Sequence, residues 1–230
     1  MPQISVRSIH PVYFHAIKLL IELVKHGSRS LQEAHAESGA ASCRLLKAAG
    51  FKVAAVYRGS DRVAERFKRD IGIPIYNWDF ASYDACVARL KRVEVGVGPN
   101  DILVNDAGIT RDGVFHKMTF DRGMPSSIPI SIRYSTCVGH SSSRMRERGF
   151  GRIINISWIN DQKRQIGQTN YAAAKAADIG FTKALAQENA RKRVTVNAIC
   201  RGYIATDMVR AMPIEVVEKT ILPLIRWGGS

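Results

Sequence analysis

Five short apolar runs recur from residue 51 onward, and stretches of helical character lie among them. Nothing else in the chain limits its fold as tightly. Lys52-Val53-Ala54-Ala55-Val56-Tyr57 reads as a buried strand closed by Arg58-Gly59-Ser60. Ile73 to Asp79, Asp101 to Asn105, Arg152 to Ser157 and Arg193 to Ile199 read the same way. Asp61 to Arg69, Ser82 to Val95 and Asn170 to Ala190 read as helices, with Ser82 a fitting N-cap. Runs without polar alternation are the mark of strands buried on both faces. Strands of that kind alternating with helices predict an α/β fold, a parallel sheet covered on both sides. Such sheets bind ligands outside the carboxyl ends of their strands, near a switch point.

The chain has 230 residues, enough for one sizeable domain, and 46% of them are hydrophobic. Two stretches break the rhythm. Residues 1–43 lack the strand and glycine turn that should open such a fold, and 120–143 hold seven serines, two prolines and no clean period. The run Ala16 to Val24 is interrupted by Lys18 and Glu22, which predicts a short amphipathic helix rather than a secretory signal. No apolar run approaches the roughly 20 residues that span a bilayer. Cys43, Cys86, Cys137 and Cys200 are scattered without metal-ligand spacing. Reduced thiols, no metal site and a cytoplasmic location are expected. The net charge of +14 attracts polyanions. No nucleic-acid-binding motif accompanies it, so phosphate-rich small molecules such as NADPH or coenzyme A fit better than a specific nucleic acid.

Within the last long helix, Tyr171 and Lys175 stand four residues apart in Asn170-Tyr171-Ala172-Ala173-Ala174-Lys175. Helical spacing of four puts both on one face. A neighbouring cation favours phenolate and brings a tyrosine toward the working range of a general acid.

Around this pair the motifs become specific. Asn105-Asp106-Ala107-Gly108, Ser157, Tyr171-x-x-x-Lys175 and Gly202-Tyr203-Ile204-Ala205-Thr206 resemble the short-chain dehydrogenase/reductase family. Gly108 to Thr119 and Asn160 to Tyr171 are similar to its acetoacetyl-CoA reductase branch in polyhydroxybutyrate synthesis. The resemblance covers roughly residues 44–119 and 144–222 and implies a single Rossmann-like, doubly wound domain over 1–230. Its first and last strands are in doubt: 1–43 and 120–143 are atypical, and the chain stops before the family's last strand.

The resemblance implies NADPH-dependent reduction of acetoacetyl-CoA to (R)-3-hydroxybutyryl-CoA by a cytoplasmic homo-oligomer, a tetramer in the family. Tyr171 would be the general acid, Lys175 its partner, and Ser157 the nearest available serine. Asp79 would meet the adenine; the turn of Asp106, Ala107, Gly108, Ile109 and Thr110 would pack on the cofactor. Gly202, Tyr203 and Ile204 would border the nicotinamide and the substrate. Asp112, Lys117, Gln165, Ile166, Gly167 and Gln168, with Gly202 and Tyr203, fall where this branch contacts its acyl-CoA. Independently, an acid after the second strand marks NAD sites. Here Arg58 and Ser60 offer a cation and a hydroxyl, which favours NADPH.

Departures from the family pattern are equally specific. The Thr-Gly-x-x-x-Gly-x-Gly turn is absent. Trp158 holds the position of the family's serine, and Ser157 is one residue early, which on a strand is the opposite face. Only a local bulge would bring Ser157 round. No asparagine lies between Asp106 and Asn155 to hold a relay water. Asp106 replaces an asparagine, and Arg201 replaces a proline. Matched blocks alternate abruptly with unrelated ones over 1–43, 120–143 and 224–230. Compensating reading-frame shifts leave that pattern, and re-sequencing the encoding DNA checks it. Two other activities fit the same residues: a catalytically impaired binding subunit and a β-ketoacyl carrier-protein reductase.

Overall fold

The computed structural model describes residues 29–33, 37–57, 59–77, 83–106, 116, 138–158, 169–201, 214–216 and 218–219. Six strands form one sheet: β1 (Arg29–Glu33), β2 (Lys52–Tyr57), β3 (Ile75–Asn77), β4 (Ile102–Asn105), β5 (Gly151–Trp158) and β6 (Val194–Arg201). Every pairing is parallel, in the order β3-β2-β1-β4-β5-β6. The helices are α1 (Glu37–Ala48), α2 (Asp61–Ile71), α3 (Tyr83–Val97), α4 (138–148) and α5 (Thr169–Asn189). The strand order reverses between β1 and β4, which is the expected doubly wound arrangement and puts a switch point there.

Two apolar cores flank the sheet. On one face Cys43 and Leu46 of α1 and Ile71 of α2 pack with Val53, Ala55, Ile102, Val104 and Ile154. On the other, Cys86, Leu90 and Val93 of α3 and Val138 and Met145 of α4 pack with Val56, Leu103, Ile153 and Val196. Adjacent strand residues feed opposite cores, as the two-residue period of a strand requires. Gly72 ends α2 in the left-handed conformation, φ 65°, and returns its N–H to Lys68. Lys47 of α1 donates to the last carbonyls of α2, Ile71 and Gly72, a cation placed at the negative end of a helix dipole.

Two expectations are corrected. Residues 1–43 were expected to lack an opening strand, yet Arg29–Glu33 forms β1 at the centre of the sheet, between β2 and β4. With β2 and β4 each buried on both faces, the rows of backbone N–H and C=O between them demand a partner. Any extended segment supplies that, whatever its side chains, so Arg-Ser-Leu-Gln-Glu gives no apolar signal. Likewise the irregular stretch 120–143 runs into α4 from residue 138. The buried positions of that helix include Ser141 and Ser142 beside Val138 and Met145, so its apolar period is diluted. The expected amphipathic helix at 16–24 lies outside the described residues. The last-strand expectation falls on 202–230, of which only 214–216 and 218–219 are described.

Gly151 opens β5 against α4: a Cβ there would stand 2.6 Å from the Met145 Cβ, a distance that forces one element to move. Gly151→Ala is expected to cost about 1–3 kcal/mol through overpacking, read as a lower denaturation midpoint with an unchanged slope.

Candidate active site

The site is built where the carboxyl end of β5 meets the first turns of α5. Alanines at 172, 173, 174, 176 and 177 make α5 a strong helix former. Beside Phe181 and Leu185, which pack on the apolar core, its inward face also buries the polar Lys175, Asp178, Thr182 and Asn189. Such groups are costly in an interior unless bonded; β5 provides partners for Lys175 and Thr182, and Ser142 of α4 donates to Asn189 Oδ1 at 2.9 Å. Asn155 and Ser157 lie two residues apart on the face toward α5. Ser157 Oγ donates to the Lys175 carbonyl at 3.0 Å, and Asn155 Nδ2 donates to Thr182 Oγ1 at 2.8 Å. Asn105 Nδ2 of β4 donates to Asn155 Oδ1 at 2.8 Å, which extends the seam across two strands. Thr182 Oγ1 donates back to the Asp178 carbonyl.

Lys175 is the charge at the centre of this seam. Its ammonium donates to the Ile156 carbonyl at 2.8 Å and pairs with Asp178 Oδ2 at 3.1 Å. Burial pushes the Asp178 carboxyl above the ordinary aspartate range, and the Lys175 charge and hydrogen bond pull it back.

Tyr171, one turn before Lys175, is half-buried. Trp158, the last residue of β5, meets it edge to face, with ring centroids 5.3 Å apart and planes at 68°. The β5–β6 ladder runs unbroken from Gly151↔Val194 to Trp158↔Arg201. The bulge that would bring Ser157 round is not formed, so Ser157 and Trp158 face opposite sides of the sheet. The indole stands beside the tyrosine, and the serine hydroxyl is spent on α5.

At the end of β4, Asp106 is buried and pairs with Arg201 Nη2 of β6 at 3.5 Å. Its field reaches α1. The Cys43 thiol is pushed up to about 12, mainly by burial; the nearby Arg44 lowers it, and Asp106 raises it further. The other residues expected at the site lie outside the described residues: Arg58, Asp79, Ala107 to Thr110, Asp112, Lys117, Gln165 to Gln168, and Gly202 to Ile204. Sequence reasoning missed Asp178 and Asn155. The signals were there, since Asp178 is i+3 from Lys175 on the helix and Asn155 is i−2 from Ser157 on the strand. Among the described residues no cluster of His, Cys, Asp or Glu could hold a metal ion, and no helix is long and apolar enough to cross a membrane.

An open parallel sheet in this order, with a tyrosine–lysine pair at its carboxyl edge, defines a doubly wound, nucleotide-binding oxidoreductase. The short chain dehydrogenase family model matches residues 37–215, and the chain belongs to that family. Among its relatives is the acetoacetyl-CoA reductase of Rhizobium meliloti (strain 1021). The two are 54% identical over 209 residues, 90% of this chain and 83% of that protein. The acetoacetyl-CoA reductase of Paracoccus denitrificans is 50% identical over 206 residues, 89% of this chain and 82% of that one. A 3-oxoacyl-(acyl-carrier-protein) reductase of Staphylococcus aureus (strain Mu50 / ATCC 700699) is 35% identical over 187 residues, 78% and 76% of the two chains.

Membership implies a nicotinamide cofactor, and the residues fit its two ends unequally. At the nicotinamide end the half-exposed Tyr171 phenol and the Lys175 ammonium flank the carboxyl end of β5, and the Asp106 carboxylate is neutralised by Arg201. At the pyrophosphate end only residues 34–36 separate β1 from α1. The intervening sequence, Ala34-His35-Ala36, has no glycine for close backbone approach, and α1 begins at Glu37.

Asp178 makes the Lys175 pair testable by pH. An aspartate whose pKa is raised in the fold loses stability as pH rises through its range and regains it as pH falls. Lys175→Met removes the ammonium that opposes this shift. The variant is expected to be about 3–5 kcal/mol less stable than the parent at neutral pH. The deficit should shrink as pH falls from neutral toward the ordinary aspartate range and Asp178 protonates, when denaturant melts are compared across pH.

Proposed function

We propose that this chain reduces acetoacetyl-CoA to (R)-3-hydroxybutyryl-CoA with NADPH, the reducing step that precedes polyhydroxyalkanoate formation. It would act as one cytoplasmic dinucleotide-binding domain per subunit, in a homo-oligomer, a tetramer by family resemblance. The observation that carries the proposal is the placement of Tyr171 and Lys175 on α5 at the carboxyl end of β5. The names of the relatives supply the substrate class.

The bound nicotinamide would supply a hydride to the 3-keto carbon. Tyr171 donates its phenolic proton to the oxygen that becomes the alkoxide, which completes the alcohol. Lys175 has three donors, of which Ile156 and Asp178 take two. The third is assigned to a ribose hydroxyl. Ser157 is assigned to holding α5 on β5 rather than to the substrate, because its hydroxyl donates to Lys175. Ala107, Gly108, Ile109 and Thr110 are assigned to the cofactor, with Asp106 positioning their start, Asp79 at the adenine and Gly202, Tyr203 and Ile204 at the nicotinamide. Asp112, Lys117 and the segment Gln165, Ile166, Gly167 and Gln168 are assigned to the acyl-CoA.

NADPH is preferred over NADH on the charges after β2. Asp61, the acid nearest that strand end, accepts from the Tyr57 hydroxyl at 2.5 Å and from Asn77 Nδ2 at 3.2 Å. Ser60 N-caps α2 without a side-chain hydrogen bond. Arg58 and Ser60 are thus the residues offered to a 2′-phosphate.

A second reading, a catalytically impaired binding subunit, is favoured by Trp158. An indole donates one hydrogen bond, accepts none, and fills the space beside Tyr171 where a carbonyl would stand. Purified protein with acetoacetyl-CoA and NADPH decides between the two. Tyr171→Phe is expected to lower NADPH oxidation about 10²–10⁴-fold. Trp158→Ser is expected to raise it, by up to the roughly 10²–10³-fold that one oxyanion donor is worth. Parent turnover no greater than that of Tyr171→Phe would leave the binding-subunit reading. A preference for acetoacetyl carrier protein over the CoA ester would move the substrate assignment to the carrier-protein branch.

A further inference from the structure

The two residues that depart from the family pattern at the ends of β4 and β6 are each other's partner. Asp106 stands where the family has an asparagine, Arg201 where it has a proline, and their side chains pair at 3.5 Å. The carboxylate side chain is 3% exposed and the guanidinium side chain 24%. β5 lies between β4 and β6, so the pair must cross it. Asp106 is one residue beyond the Asn105↔Asn155 pairing, and Arg201 is the register partner of Trp158. The crossing therefore falls at Ile156 to Trp158, the carboxyl end of the strand that faces Tyr171.

The two substitutions make physical sense only together. Asp106 alone would bury a carboxylate with no guanidinium opposite it. Arg201 alone would give up the fixed φ that proline imposes on the chain entering 202–204. As a pair, the carboxylate is neutralised and the end of β6 is tied to the end of β4 through side chains rather than by a ring.

We propose that Asp106 and Arg201 form a charge strut that sets the separation of the carboxyl ends of β4 and β6. They are positioning residues for the two segments that follow, 107–110 and 202–204, which the proposed function assigns to the cofactor. The strut's role rests on that functional reading.

The test is a set of four variants of the full chain, each followed by cofactor-free thermal melts and by fluorescence titration with NADPH. Arg201→Gln strands the carboxylate; it should lower the melting temperature and weaken NADPH binding about tenfold or more. Asp106→Asn removes the carboxylate from the more exposed guanidinium and should be milder in the melt. Asp106→Asn/Arg201→Gln leaves no buried charge unpaired and should recover most of the melting temperature. Binding should stay about fivefold or more below the parent, because the tie is still missing. Arg201→Lys keeps the charge and should bind within about threefold of the parent. Recovery of both melting temperature and affinity in the double variant would overturn the proposal, since the pair would then act only through stability. Equal affinity in all variants would overturn it too. If the parent itself does not bind NADPH, the functional reading fails and the strut's role fails with it; parent binding with indifferent variants sinks the strut alone.

Discussion

The buried Lys175 ammonium organises the junction between α5 and β5. Lys175 is taken out of water, so it has to be paired and hydrogen-bonded where it lies. The Ile156 carbonyl holds it to β5, and Asp178 holds it from its own helix. Ser157 tightens the same junction by bonding the Lys175 carbonyl. The register of α5 on the sheet follows from the two contacts to β5. That register in turn carries Tyr171, one turn earlier, to the carboxyl edge where the fold binds ligands. Sliding α5 by one residue would carry the Lys175–Asp178 pair off the Ile156 carbonyl and the Lys175 carbonyl off the Ser157 hydroxyl, so the placement of the tyrosine is enforced by polar contacts as well as by apolar packing.

The parts of this that the sequence revealed are those where side-chain chemistry and backbone demand coincide. β2, β4, β5 and β6 are apolar because they are buried, so their side chains announce them. The Tyr171–Lys175 spacing is visible because a helix fixes which residues share a face. β1 was not legible for the opposite reason. Its place is set by the hydrogen-bonding groups of β2 and β4, and those are indifferent to whether the inserted segment is Arg-Ser-Leu-Gln-Glu or valines. α4 was obscured because Ser141 and Ser142 take buried positions that apolar residues usually hold. Asp178 went unnoticed because an acid three residues from a lysine on a helix ordinarily marks a solvated surface pair. Only burial turns it into part of the site.

Stability and chemistry occupy different zones of this sheet. The apolar cores lie along the middle of the strands, at Ile102, Val104, Ile153 and Ile154, all essentially inaccessible to water. Asp106, Trp158 and Arg201 lie at or just past the carboxyl ends. Changes at those ends leave the sheet's core untouched, which is why a chain can keep the family's architecture while its edge is rebuilt.

Trp158 is the sharpest case. A β-strand residue cannot be moved to the opposite face without shifting its whole ladder, and the β5–β6 register is unbroken. Ser157 therefore cannot take over beside Tyr171 without breaking its bond to Lys175 and the pairing of eight residues with β6. The magnitudes decide between the two. Loss of an oxyanion donor costs roughly 3–4 kcal/mol of transition-state stabilisation, which falls on rate alone. A slipped strand puts every alternating contact of β5 in both cores at risk, against a net stability of only about 5–15 kcal/mol. The fold keeps its register, and in the proposed reaction the tryptophan's effect falls on the rate.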